Sequence, residues 1–197
     1  MSNTSTNTVQ RERAKRVSVS TPQQWEAVSS GIRFEMLELL TAIGPNSIAE
    51  LAREMGVRAD SLYHHMKKLV SAELVREVAF RRVGRQTEAV FDVVANKFDF
   101  DPSVENAVLM KLMRSIHRQT ERNFERSLEG GIVDFSEKNR NTRIRADTAS
   151  LTRKQLKEVK SHIEAIIQIF AEGRQEQKGD LFSVTLSMMP IKRDSSS

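Results

Sequence analysis

The sequence predicts an α+β fold, mainly α, built in two parts, and three observations carry that expectation. Capping boxes stand at Thr21–Gln24, Ser47–Glu50 and Thr152–Gln155, each opening a stretch with apolar residues at helical spacing. Two short helices, from Ser47 to about Met55 and from about Ala59 to Ala72, flank a tight turn at Gly56-Val57 and precede two β-forming runs. The second half carries two longer helical stripes and one alternating run, Phe182 to Met188, with the pattern of a half-buried strand.

Composition narrows the function classes. The 197 residues suffice for one sizeable domain or two small ones, and 39% hydrophobic against 29% charged residues is an ordinary globular balance. No apolar run approaches the ~20 residues of a membrane span. The start Met-Ser-Asn-Thr-Ser-Thr-Asn-Thr lacks the apolar core of a secretory signal, so a cytoplasmic protein with no membrane partner is expected. The absence of Cys excludes disulfides, thiolate metal sites and Cys nucleophiles together. Basic residues outnumber acidic ones by 31 to 26, and the excess is shared: 13 against 11 up to Ala95, 18 against 15 beyond it. A net charge of +5 permits nucleic-acid binding without indicating it, so the placement of charge decides.

Residues 1–20, rich in Ser, Thr and Asn with a basic cluster at Arg11, Arg13, Lys15 and Arg16, have no face to pack and read as a disordered basic arm. A helical period through Trp25, Val28, Ile32, Met36, Leu37, Leu40 and Ile43 follows, with Gly31 able to split it and Gly44-Pro45 ending it. Ile48, Leu51, Ala52 and Met55 face inward from the next helix; Leu62, Met66 and Leu69 do so from the third. Strands are expected at Leu74–Phe80 and Gln86–Val94, with Arg81–Arg85 as the loop between them. Helix, turn, helix and hairpin in that order make a winged helix-turn-helix, assigned to residues 21–95.

Residues 96–102, with Asp101-Pro102, read as a linker, and residues 103–191 as an α+β module for dimerisation or effector sensing, followed by a tail at 192–197. Within that module a long helix runs from Val104 to Leu128, Arg143–Ala146 has a strand-like alternation, and Leu156, Val159, Ile163, Ile166, Ile167 and Phe170 line one face of a further helix that Gly173 stops.

With Leu62, Met66 and Leu69 turned to the core, a period of about 100° per residue puts Asp60, His64, Lys67 and Ser71 on the opposite side of the third helix, with Ser61, Lys68 and Tyr63 at its edges. Ser61, Tyr63 and His64 suit base edges in a major groove; Lys67 and Lys68 suit phosphates. A solvated face of an ordinary core helix accounts for those residues equally well. The loop does not fit that account. Arg81, Arg82 and Arg85 concentrate like charge at the tip of a hairpin, which folding does not require and phosphate or minor-groove binding does. His65, close to the buried stripe, reads as a packed histidine, and His64 and His65 point too far apart to share one ion, so no metal is expected. Asp99 and Asp101 read as a solvated turn. With no Gly-rich phosphate loop, paired His spacing or nucleophile elbow, no catalytic residue, cofactor or enzymatic role is expected.

Arg33-Phe34-Glu35-Met36-Leu37-Glu38-Leu39-Leu40, Ser47-Ile48-Ala49-Glu50-Leu51-Ala52 and Leu62-Tyr63-His64-His65-Met66-Lys67-Lys68-Leu69, continued by Leu74-Val75 and Gly84-Arg85, resemble the ArsR-like winged helix regulators of bacteria over residues 25–94. The resemblance implies a homodimeric transcription factor, usually a repressor, on an operator of two half-sites. It places Ser61, Tyr63, His64 and Lys67 on the DNA-reading helix and Arg81, Arg82 and Arg85 on the wing. Two positions depart from the pattern. Arg58 stands where a Ser or Thr cap is common, exchanging the cap for a phosphate contact, and Glu73 replaces a Gly, which strains the chain if φ is positive there.

The expected function is a sequence-specific regulator binding double-stranded DNA as a homodimer on a palindromic site. The DNA-facing set is Arg58, Ser61, Tyr63, His64, Lys67, Lys68, Arg81, Arg82 and Arg85, and the dimer contact is Val108, Leu112 and Ile116 on the long helix. A winged helix that binds an acidic protein partner, with weak DNA affinity, is the alternative. A second alternative is binding of a small-molecule effector by the C-terminal module.

Overall fold

The computed structural model describes residues 12–101, 103–176 and 178–192. Thr21 opens α1 (Pro22–Val28): its hydroxyl accepts from Gln24 N–H at 3.2 Å, and the Gln24 side chain accepts from Thr21 N–H. Gly31 does split the first helical stretch, beginning α2 (Gly31–Ile43). After the short strand β2 (Asn46–Ser47), the box of Ser47 and Glu50 opens α3 (Ile48–Met55). Gly56 then turns the chain in the left-handed region (φ 64°, ψ 30°), which a side chain makes costly. The third helix comes in two pieces, a 3-10 turn at Ala59–Ser61 and α4 (Tyr63–Ser71). Arg58, at its head, supplies no side-chain cap, and the Ser61 hydroxyl donates instead to Arg58 O at 2.6 Å.

Strands β3 (Val75–Val83) and β4 (Gln86–Val93) pair antiparallel, with β2 on the far side of β4. The register slips between Glu77 and Ala79, leaving Val78 as a bulge that re-aims the outer half of β3. The expected five-residue loop is only two residues long. Arg81, Arg82 and Val83 remain paired in β3, and Gly84-Arg85 makes the turn, with Gly84 at φ 62° as a tight hairpin demands. Met36, Leu37, Leu40, Leu51, Leu62, Met66, Leu69, Leu74 and Val93 are fully buried and form one core shared by α2, α3, α4 and the base of the hairpin.

Glu73 is the one non-glycine residue with positive φ (56°) among those described. The strain expected at this departure is therefore present. Replacing Glu73 by Gly is expected to raise stability by about 0.5–1 kcal/mol, the penalty of a Cβ in the left-handed region less the entropy that Gly adds to the unfolded chain. A higher urea midpoint at unchanged slope would show it; an equal or lower midpoint would mean that the turn bears no strain.

Several expectations are corrected. The part of the N-terminal arm that is described is ordered: β1 (Val17–Val19) pairs in parallel with β5 (Phe98–Phe100), and Val19 is fully buried. Arg11 lies outside the described residues. Residues 96–102 are therefore not a plain linker, since the parallel pair passes through them, and Phe100 meets Trp25 at a ring separation of 5.6 Å. Arg13, a member of the supposed solvated cluster, reaches between elements. Its Nε donates to Asp92 Oδ2 at 3.0 Å, and its Nη2 donates to Asp92 Oδ1 and to Leu40 O, the latter at 3.1 Å. An alternation of hydrophobic residues too short to bury a face alone was sufficient once a second strand supplied the other side.

In the second half α5 (Asn106–Glu129) and α6 (Arg153–Glu176) form, while the strands expected at Arg143–Ala146 and Phe182–Met188 do not. Neither run has a backbone partner among the described residues. Val108, Leu112 and Ile116, expected at a dimer contact, lie on the face of the long helix turned to the first domain of this chain. Leu112 is buried in the first domain's core, and Val108 and Ile116 pack against it. Polar contacts fix the same face: the Ser115 hydroxyl donates to Ser29 O at 2.8 Å, and Arg122 and Arg126 both bind the buried carboxylate of Glu35 on α2. Among the described residues no helix is long and apolar enough to cross a membrane.

Candidate nucleic-acid interface

Burying Leu62, Met66 and Leu69 leaves the other side of the turn and of α4 in solvent: Ser61, Tyr63, His64, Lys67 and Lys68 are all exposed, Tyr63 by 61%. Among the described residues Tyr63 and Lys67 have no hydrogen bond or ion pair, and the His64 and His65 rings meet edge-on at 5.9 Å. These are exposed donors and acceptors on a helix, groups of the kind that can hydrogen-bond base edges. Lys68 is tethered, with Nζ 3.4 Å from Glu26 on α1, and Arg58 stands 3.5 Å from Asp60. Both pairs are solvent-exposed and weak enough for a phosphate to displace. Beside α4 runs a groove floored by Ala27 and edged by Gln23, Glu26, His64, Lys67 and Ser71.

The three wing arginines separate. Arg81 turns inward and pairs bidentately with Glu50 at 2.7 and 2.9 Å, so the β3 side of the wing is bolted to the first turn of α3. Arg82 faces solvent, with a 3.4 Å bond from Nε to Gly84 O, and Arg85 at the tip has no partner among the described residues. Strand alternation explains the split, because neighbouring β residues point to opposite faces. The sequence reading missed Glu50 in this role. Its capping box was visible, but nothing in the sequence links α3 to a strand 31 residues later. Burial pushes the Glu50 carboxyl up, but hydrogen bonds from Ser47 and the Arg81 guanidinium outweigh it and hold the group below its ordinary value.

His65 sits half-buried on the core side of α4, with Nδ1 buried and without a hydrogen-bond partner. Burial, then the positive charges of Arg33 on α2 and of His64, hold its pKa below the ordinary 6.5. The folded chain therefore binds fewer protons than the unfolded chain below pH 6.5, and stability falls as pH drops through that range. Replacing His65 by Gln is expected to flatten this limb of a stability-against-pH curve. An unchanged limb would place its origin elsewhere, since Glu50, Asp101 and Asp134, all held below their ordinary values, act in the same direction at lower pH.

A helix-turn-helix domain model matches residues 28–78, which span α2, α3, α4 and the start of β3. No curated protein is matched by the chain. Among solved structures, an apo-form mutant of ZitR from Lactococcus lactis is similar at 14% identity over 74% of this chain and 85% of that one, with a TM-score of 0.26, a superposition too loose to carry an argument. The matched segment is a helix-turn-helix domain, and the two-stranded wing stands directly behind it in the chain. Among the described residues no three His, Asp or Glu side chains converge as a metal site would require.

Proposed function

We propose that the chain is an ArsR-like, bacterial, cytoplasmic repressor that binds a palindromic operator as a homodimer. Ser61, Tyr63, His64 and Lys67 enter the major groove, and Arg82 and Arg85 reach phosphates or the adjacent minor groove. The observation that carries this reading is the exposed polar face of α4, where Tyr63 and Lys67 have no hydrogen bond or ion pair among the described residues, together with two solvent-facing wing arginines that pair with no acidic residue among them. Arg58 and Lys68 contribute phosphate contacts once their surface ion pairs open. Arg81 acts at one remove, by fixing the angle of the wing. A two-fold dimer sets the two α4 helices about one DNA turn, ~34 Å, or a multiple of it apart.

Selection from random duplex DNA by the purified full-length protein, at about 150 mM salt, tests the reading. A two-fold symmetric motif is expected, its half-site spacing reporting the separation of the two α4 helices. Salt-sensitive binding without a motif would overturn it and favour an acidic protein partner for the wing.

A further inference from the structure

Between α1 and the start of α5 lies a cleft of about 630 Å³, within the ~300–1,000 Å³ range of small-molecule sites. Pro22, Trp25, Val104 and Val108 give it an apolar side; Ser29, Ser30, Arg33 and Lys111 give it a polar one. The cleft spans the joint between the helix-turn-helix domain and the second half, whereas the sequence reading placed an effector in the second half alone.

The polar side lacks an anion. Arg33 Nε donates to Ala27 O at 2.9 Å and Nη2 donates to Glu26 O, which fixes the guanidinium against the last turn of α1. Its Nη1 has no partner among the described residues, and no carboxylate there bonds to it. Burial lowers the Arg33 pKa more than the nearby Glu26 charge raises it, as for a cation short of a counter-ion. Lys111 has no hydrogen bond or ion pair among the described residues. The Ser29 hydroxyl is buried in the wall without a partner, and Ser30 heads α2 without capping it, at the positive end of that helix. Three acids also line the cleft, and each is met locally. Asp101 Oδ1 accepts from the Ser103 N–H at 2.8 Å and hydroxyl at 2.7 Å. The Glu26 carboxylate stands 3.4 Å from Lys68 Nζ. Glu105 is the N-cap residue of α5, where the helix dipole favours negative charge.

We infer that this cleft binds a small organic anion with a flat apolar body and one carboxylate. The carboxylate sits at Arg33 and Lys111, where it supplies the missing counter-charge, and the body lies against Trp25 and Val108. An inorganic anion leaves the apolar side unused, and a neutral apolar molecule leaves Arg33 short of its counter-ion, so both halves of the ligand are needed. A flat ring suits the wall that Trp25 provides. The inference is independent of the operator reading, and its test uses no DNA.

Trp25 is the sole Trp and forms part of the cleft, so its emission reports occupancy directly. Titrating the full-length protein with phenylacetate is expected to shift that emission saturably and to raise the melting temperature. Acetate carries the charge without the ring, and 2-phenylethanol the ring without the charge. Each should bind about tenfold more weakly or worse, the loss that follows from removing a charge-assisted hydrogen bond or the buried ring. Lys111→Gln alters an exposed side chain with no partner to lose, so the free protein should melt as before while phenylacetate binds about tenfold more weakly. Arg33→Gln keeps a donor for the α1 carbonyls but not the charge, and should erase the preference for phenylacetate over 2-phenylethanol. If that variant fails to fold, Lys111→Gln decides. No saturable change with phenylacetate, an equal response to 2-phenylethanol, a stronger one to phenethylamine, or unchanged affinity in Lys111→Gln would each overturn the inference.

Discussion

Replacing Asp92 by Ala is expected to lower stability by about 3–5 kcal/mol, the loss typical of breaking a buried ion pair from one side. Asp92 lies on β4 with its side chain 9% exposed, and it receives two bonds from Arg13, itself 17% exposed. The carboxylate also accepts from the Val93 N–H at 2.9 Å. Without it, the Arg13 guanidinium stays in a sparsely hydrated site with only the Leu40 and Thr41 carbonyls, 3.1 and 3.4 Å away, for company. Against a total of about 5–15 kcal/mol for a domain, that loss removes a large share of the stability. Urea unfolding measures it directly. Combining Asp92→Leu with Arg13→Met removes both charges together and is expected to recover most of the loss, because uncompensated burial rather than the missing attraction dominates it. A single variant losing less than about 1 kcal/mol would mean that water reaches the pair and that the arm is not clamped.

That clamp marks where the sequence ceased to be legible. Most of what local rules set could be read: the capping boxes at Thr21 and Ser47, the turn at Gly56, the buried stripe Leu62, Met66, Leu69, and Glu73 as a position strained if φ is positive. Each depends on residues at most a few positions apart. Arg13 pairs across 79 positions and Arg81 across 31, and a charge run carries no sign of its distant partner. The strand pair β1–β5 was hidden for the same reason, since three residues such as Val17–Val19 become a strand only beside Phe98–Phe100. The stripe of α5 was visible but not its destination: an apolar face looks the same whether its partner is the same chain or another. Glu35, Arg122 and Arg126 decide that case, and a buried carboxylate held by two arginines 87 and 91 positions away leaves no trace in composition. The Phe182–Met188 alternation is the converse, a strand pattern that finds no backbone partner among the described residues.

At the interface, the largest expected effect separates reading from holding. Replacing His64 by Ala should cost about 1–3 kcal/mol of operator affinity per half-site, the worth of one good base contact, and should relax the motif at one position of each half. Replacing Arg82 and Arg85 together by Ala should weaken all sequences alike. It should also make the dependence of log affinity on log salt shallower by about one for each phosphate no longer neutralised. Arg81→Ala distinguishes the third wing arginine from these two. Its charge is already answered by Glu50, so the salt slope should hardly move, while the loosened wing lowers affinity and stability modestly. Titrations of labelled duplex at three or more salt concentrations give all of these quantities in one series. If the Arg82, Arg85 double variant kept the full salt slope, the wing would not touch phosphate. The hairpin would then serve some partner other than DNA, even with α4 still seated in the groove.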